Sequence, residues 1–203
     1  ISRSAIVRLC QKLGYQGWSE FKYAYLHEPA LAASAQEHNI LTRYENIIQK
    51  LRQGVAADQL QTIVQIIHRA NRVITLGNYH SGMSAQQMAF RLNRSGIDSH
   101  FMNDTSQMEC YVSLIRSNDV VFIFSLSGDP LYGSLVEQYV QRGASVILIT
   151  MSTRTTLAKL VTQTVVLPFL SHERCNYLLD DAITFFIFIE MIIEALHEES
   201  SKQ

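Results

Sequence analysis

The feature that most constrains this fold is an alternation, starting near residue 72, of short apolar runs with longer amphipathic segments. The apolar runs predict β-strands at 72–77, 97–102, 119–125, 144–150 and 164–169. The run at 119–125 is continuously apolar, which is typical of a strand covered on both faces. Strands that alternate with helices build βαβ units. We therefore predict an α/β fold in three layers, α-β-α, with about five parallel strands.

Helical spacing of apolar residues predicts the covering layers of this sheet. The predicted helices are 40–52, 59–69, 83–93, 106–116, 131–141 and 175–197. The last of these is apolar on nearly every side, so it must be buried in its own core or against a partner. Residues 30–44 show no strong period, and we interpret them as a linker that runs into the first of these helices.

Composition is consistent with one medium-sized domain and a small appendage in the cytoplasm. The chain has 203 residues, of which 47% are hydrophobic and 17% charged. Cys10, Cys110 and Cys175 form no CxxC pair and are expected to be reduced thiols. The longest apolar stretch, 182–189, is shorter than the ~20 residues that span a bilayer, and no signal-peptide pattern is present, so we expect no membrane partner.

The N-terminal residues carry a small excess of positive charge and a helical pattern. Residues 1–27 hold four basic side chains and one acidic side chain, whereas the rest of the chain holds 13 basic and 17 acidic residues. Helices are predicted at 2–13, capped by Ser2, and at 18–27. A basic, helical end on an acidic body is typical of a segment that reads nucleic acid.

Two of the predicted strands are followed by segments that combine glycine with serine. Gly77-Asn-Tyr-His-Ser-Gly82 follows the first strand, and Ser125-Leu-Ser-Gly128 follows the third. Ligands bind at the carboxyl ends of parallel strands, where glycine permits close approach and helix N-termini favour anions. Neither the P-loop pattern nor a complete dinucleotide fingerprint is present. This pattern predicts a phosphate site that uses hydroxyl and amide donors, with no metal and no cofactor.

These segments resemble the SIS (sugar isomerase) domain family. Ser125-Leu-Ser-Gly128 is similar to its Ser-x-Ser-Gly loop, residues 77–81 to its Gly-x-Gly-x-Ser loop, and Thr156-Leu-Ala158 to its Ser/Thr-x-Leu-Ala turn. The resemblance implies phosphosugar binding, with phosphate contacts from the hydroxyls of Ser81, Ser125 and Ser127 in the loop that Gly128 closes. Two positions depart from the pattern, because Pro130 replaces a frequent Thr and Tyr79 replaces the second Gly.

Three further residues are candidates for the sugar-binding part of the site. Tyr79 is expected to line the sugar pocket. His80 is either a hydrogen-bond donor or acid–base group, or a solvated loop residue. Glu109 either accepts sugar hydroxyls or belongs to a solvated helix face.

The N-terminal segment resembles a second family. Residues 2–22 are similar, without a gap, to the end of the helix-turn-helix of RpiR-type regulators. The resemblance implies that Ser2, Arg3 and Ser4 meet base edges and that Arg8 and Lys12 meet phosphates. The earlier helices of such a reader are not in the sequence, so we expect a truncated helix-turn-helix. We predict its C-terminal half at 1–29, a linker at 30–44 and the SIS domain at 45–198.

Together these features predict a transcriptional regulator, not an enzyme, in which a phosphorylated sugar modulates binding to operator DNA. The sugar is expected to be a hexose or aminosugar phosphate, and the protein a homodimer or homotetramer. Two alternatives remain open. One is a sugar-phosphate isomerase whose base is His80, Glu109 or Glu173. The other is a scaffold with a vestigial pocket, which Tyr79 and Pro130 would permit.

Overall fold

The computed structural model describes residues 3–12, 40–169 and 182–201. Contacts divide them into two compact units, a smaller one with 3–12 and 40–45 and a larger one with 46–169 and 182–201. The elements in chain order are α1 (Arg3–Lys12), α2 (Ile40–Gly54), α3 (Ala57–His68), β1 (Val73–Leu76), α4 (Tyr79–Arg94), β2 (Ser99–Met102), α5 (Thr105–Tyr111), β3 (Val120–Phe124), α6 (Gly133–Gln141), β4 (Ser145–Thr150), β5 (Gln163–Val166) and α7 (Ala182–Ser200). Short 3-10 helices lie at Val112–Leu114, Pro130–Tyr132 and Thr156–Lys159.

The larger unit is built on one parallel sheet with the strand order β2-β1-β3-β4-β5. All four strand pairs are parallel, which confirms the predicted α/β fold. The chain enters the sheet at β1, the second strand from one edge, adds β2 at that edge, and then crosses to β3 on the other side of β1. The carboxyl ends of β1 and β3 therefore flank the point where the strand order reverses, and ligands bind at such points in open α/β sheets.

Alternate residues of the strands enter two separate hydrophobic cores. On one face Phe122 and Phe124 pack with Phe185 and Phe188 of α7 and with the inner residues of α2, α3 and α4. On the other face Val121 and its neighbours pack with α5 and α6. Helices thus cover both faces, as the continuous apolar run of β3 predicts. The apolar character of α7 is accounted for by its burial in the first core.

Several predicted boundaries differ from the structure, and three of these differences have a local cause. The helix expected at 83–93 begins at Tyr79, because Asn78 is extended and ends the loop after only two residues. The helix expected at 106–116 ends at Tyr111 and continues only as a 3-10 turn before the chain becomes extended at Ile115. The strand expected at 164–169 ends at Val166, shortly before Pro168, which has no N–H to donate.

Some predictions fall outside the part of the chain that the structure describes. These are the second N-terminal helix at 18–27, most of the linker, and the first residues of the helix predicted at 175–197. Residues 40–44, which we assigned to the linker, belong to α2. None of the helices formed by the described residues combines the length and hydrophobicity that a bilayer crossing requires.

Candidate functional site

The first part of the site lies where β1 turns into α4. Gly77 allows this turn, because a Cβ atom there would lie 2.5 Å from the backbone oxygen of Ser81. The first turn of α4 can therefore sit directly on the end of the strand. This places His80 and Ser81 in the first helical turn rather than in a loop, and Ser81 is buried.

Tyr79 occupies an unusual backbone conformation at the start of this helix. Its φ is 50° and its side chain is 96% exposed. The left-handed region costs a non-glycine residue about 1–2 kcal/mol relative to the right-handed one. The backbone thus keeps a conformation suited to glycine at the position where the SIS resemblance expects glycine, although tyrosine stands there.

The second part of the site is the turn after β3. Ser125 is buried, its carbonyl oxygen accepts the N–H of Gly128 at 3.1 Å, and its Oγ accepts the N–H of Asp129 at 3.0 Å. Because its oxygen is the acceptor in that contact, the Ser125 hydroxyl retains its own proton for donation. Ser127 lies at the tip of the same turn and is exposed.

Thr155, which follows β4, holds this turn in place. Its Oγ1 donates to the carbonyl oxygen of Gly128 at 2.8 Å and accepts the N–H of Leu157 at 3.1 Å. Gly128 has a φ of 63°, and a Cβ atom there would lie 2.5 Å from the Thr155 side chain. The Gly of the Ser-x-Ser-Gly motif is required here by both conformation and space.

These two turns form the walls of a cleft of about 330 Å³ at the carboxyl edge of the sheet. It is lined by Asn78, Tyr79, His80, Ser81, Thr105, Phe124, Ser125, Leu126, Ser127, Asp129, Leu131 and Tyr132. Five of the predicted residues are therefore brought together: Tyr79, His80, Ser81, Ser125 and Ser127. Gly128 shapes the turn without lining the cleft. Glu109 does not line it either, and lies exposed on α5.

Sequence reasoning did not select seven of the cleft residues, which are Asn78, Thr105, Phe124, Leu126, Asp129, Leu131 and Tyr132. Phe124 ends β3, and the other six lie within eight positions after a strand, so a wider window after β1, β2 and β3 would have included them. Burial raises the pKa of Tyr132 to about 12, although a hydrogen bond with the Asn78 backbone lowers it. Tyr132 is therefore protonated at neutral pH and offers a hydroxyl rather than a phenolate.

The donor set of the cleft is suited to an uncharged or singly phosphorylated polyol. Serine, threonine and tyrosine hydroxyls dominate, with one imidazole and one carboxylate, and none of the lining residues is Lys or Arg. Such hydroxyls bind phosphate oxygens and sugar hydroxyls alike. The described residues of the cleft thus supply neutral hydroxyl donors rather than cationic ones.

The predicted DNA-reading residues lie on or next to α1. Arg3 and Ser4 occupy its first two positions, Arg8 and Lys12 are exposed, and Ser2 lies outside the described residues. The prediction of a helix at 2–13 is confirmed for Arg3–Lys12.

The family comparison agrees with this cleft and this sheet. The family model described as SIS domain matches residues 66–195. The chain belongs to the SIS domain family. That match includes every strand and every residue of the cleft.

Relatives of this SIS chain include transcriptional regulators. An uncharacterized HTH-type regulator of Haemophilus influenzae is 26% identical over 172 residues, which are 76% of this chain and 60% of that protein. The HTH-type regulator GlvR of Bacillus subtilis is 31% identical over 135 residues, 64% of this chain and 50% of that one. The chain therefore spans about half to three-fifths of the length of these relatives.

Solved structures that resemble this chain in fold include a complex with a sugar phosphate and an isomerase. The Vibrio vulnificus NanR protein complexed with ManNAc-6P has a TM-score of 0.71 at 20% identity, over 99% of this chain and 76% of that one. A phosphoheptose isomerase of Francisella tularensis has a TM-score of 0.62 at 15% identity, over 80% and 98%. At these identities the likeness establishes the fold.

Proposed function

We propose that this chain is the phosphosugar-sensing part of an RpiR-type transcriptional regulator and is not an enzyme. The observation that carries the proposal is the meeting of Ser81, Ser125 and Ser127 in one cleft at the strand-order reversal. Hydroxyl donors at this place bind a phosphoryl group without a metal. NanR resembles this chain in fold, and its structure is a complex with ManNAc-6P. That likeness supports a hexose or aminosugar phosphate as the ligand of this chain.

The regulatory half of the proposal depends on α1. Arg8 and Lys12 are exposed on this helix, and the sequence around them resembles the end of an RpiR-type DNA reader. A sugar phosphate controls DNA binding only if its affinity differs between two states of the protein. DNA affinity of the regulator, measured with and without the sugar phosphate, must therefore change. Assembly as a homodimer or homotetramer stays a prediction.

The ligand half is tested by thermal shift against a panel of hexose and aminosugar phosphates, followed by NMR of each stabilising compound. We expect stabilisation without conversion. Ser127→Ala is expected to abolish the shift, because a hydrogen bond to a charged group contributes roughly 1.5–3 kcal/mol. Ser113→Ala is the matched control, since Ser113 is an exposed serine that does not line the cleft. An unchanged shift in Ser127→Ala would assign the phosphate to another loop.

An isomerase is the second candidate, and the position of His80 favours it. His80 lines the cleft beside Ser81, within reach of a bound sugar phosphate, and isomerisation needs a base near the carbon acid. Of the other two nominated bases, Glu109 lies outside the cleft and Glu173 lies outside the described residues. If wild type converts a compound of the panel and His80→Gln does not, the protein is an isomerase and the sensor proposal is wrong.

A further inference from the structure

The turn after β3 uses most of its backbone donors within itself. The N–H of Gly128 donates to the Ser125 carbonyl, that of Asp129 to Ser125 Oγ, and that of Tyr132 to the Asp129 carbonyl at 3.2 Å. Pro130 has no N–H. These backbone donors of the turn, at the start of α6, are therefore already occupied by the chain itself.

A further donor of the turn, the N–H of Leu131, donates to a negatively charged group. Asp129 Oδ1 accepts the N–H of Leu131 at 3.0 Å, so a carboxylate caps the 3-10 turn that leads into α6. Asp129 also lines the cleft, and it is the only carboxylate residue among the described lining residues. An internal anion thus stands at the helix start, where an external anion would otherwise bind.

The bound phosphoryl group would share this cleft with the Asp129 carboxylate. A phosphate monoester carries about −1.5 to −2 charges near neutral pH. Like charges repel with an energy that rises as water is excluded. No lysine or arginine among the described lining residues offsets that repulsion. The carboxylate therefore lowers the affinity of the cleft for the phosphoryl group itself.

Hydrogen bonds hold the backbone of the turn in place, so the backbone cannot readily move the Asp129 carboxylate away from a bound phosphoryl group. Gly128 is bound to Thr155 Oγ1, and the Leu126 carbonyl accepts both Thr150 Oγ1 at 3.2 Å and the N–H of Met151 at 3.1 Å. These bonds attach the turn to the end of β4 on both sides of Ser127. The repulsion between the turn and a phosphoryl group is therefore changed most directly by replacing the Asp129 side chain.

We propose that Asp129 is an affinity-determining residue that weakens phosphoryl binding in the cleft, so that a phosphate is retained only when contacts from its sugar offset the repulsion. The inference rests on the proposed phosphosugar function. Discrimination between ligands often depends on a repulsive group built into the site, not only on attractive contacts. Here the repulsion lowers the affinity for every anion by a similar factor, so it sets the threshold that contacts from the sugar hydroxyls must exceed and leaves the ratio between two anions unchanged. Inorganic phosphate makes none of those contacts and is rejected.

The test is calorimetric titration of wild type, Asp129→Asn and Glu137→Gln with inorganic phosphate and with ManNAc-6P. Asparagine keeps an oxygen that can cap Leu131 and removes only the charge. Asp129→Asn should bind both probes about tenfold more tightly than wild type. Glu137→Gln removes the same charge from an exposed position on α6 that does not line the cleft, and should leave both affinities unchanged.

The outcomes separate this inference from the function on which it rests. If wild type binds ManNAc-6P and Asp129→Asn binds it equally or more weakly, Asp129 is not the determinant, and the phosphosugar function stands. If no protein binds either probe, or any compound of the sugar-phosphate panel, both proposals are wrong. Should Asp129→Asn fail to fold, Asp129→Ser, a second uncharged cap, gives the same comparison.

Discussion

At the scale of single residues, two backbone conformations define the cleft, and they differ in cost. Gly128 adopts its left-handed φ without steric penalty, whereas Tyr79 adopts a similar φ with a Cβ atom. The exposed Tyr79 ring gains little from burial in return. Tyr79 therefore is a strained residue directly beside the proposed ligand, where such strain is often found in functional sites.

The tight contact between Gly128 and Thr155 yields a prediction for stability. Gly128→Ala should lower the free energy of unfolding by about 2–4 kcal/mol, because it combines a left-handed alanine with a Cβ 2.5 Å from Thr155. Gly96→Ala is the matched control, since Gly96 has a φ of 79° and no atom within 4 Å of the added Cβ. It should cost only about 1 kcal/mol. If urea denaturation gives the same loss of unfolding free energy for both variants, Thr155 moves aside without cost and the steric explanation is wrong.

The residues of the site differed in how far sequence could identify them. Ser81, Ser125 and Ser127 were predictable because they follow strands that must end at one edge of a parallel sheet. The capping role of Asp129 was not, because it depends on the conformation of the turn around Pro130. Glu109 was left open between a sugar contact and a solvated helix face, because only the phase of the seven-residue α5 decides between them; its side chain is exposed and does not line the cleft.

At the scale of secondary-structure elements, an ion pair between the partly exposed Arg72 and the buried Asp119 joins the amino ends of β1 and β3. Arg72 Nε and Nη2 donate to Asp119 Oδ2 at 3.1 and 2.9 Å, and the same oxygen accepts the N–H of Arg116 at 2.8 Å. Arg72 also donates to the Tyr111 hydroxyl and the Leu114 carbonyl, and hydrogen bonding to Asp119 raises its pKa. The segment between α5 and β3 is thus fastened to the central strands.

Removal of this buried carboxylate should be costly. Asp119 is 1% exposed, so Asp119→Ala leaves a guanidinium and a backbone N–H without their acceptor and should lower stability by about 3–5 kcal/mol. Asp98→Ala tests an exposed acidic residue instead, whose 3.3 Å contact with His100 lies in solvent. It should change stability by no more than about 0.5 kcal/mol. Chemical denaturation measures the loss of unfolding free energy in both variants, and similar losses would contradict this account.

At the scale of the whole molecule, the sheet was the most predictable feature. Five apolar runs of the right length, separated by helical periods, leave few topologies other than a parallel sheet with helices on both faces. Element ends were less predictable, as at Tyr79 and Val166, because they depend on local turns and on which backbone groups find partners.

The two ends of the sheet should respond differently to the ligand. Binding of the most strongly stabilising panel compound should slow amide hydrogen exchange at 77–82 and 125–132, since these segments form the cleft. Amides at 116–120, at the opposite end of the strands, should keep their rates. Mass spectrometry of the exchanged peptides measures both, with Ser127→Ala as the control that shows no ligand effect. Protection spread evenly over the sheet would contradict a local cleft.

Because the ion pair and the cleft lie at opposite ends of the strands, the chain is a practical scaffold for engineered biosensors. The Arg72–Asp119 pair maintains the strands at one end, so residues 126–132 at the other end could be exchanged as a cassette to recognise different sugars. One rule limits the libraries: position 128 must remain glycine, because its φ of 63° is left-handed and Thr155 occupies the space that a Cβ atom would need. A smaller residue at 155 would relieve only the steric part of this requirement.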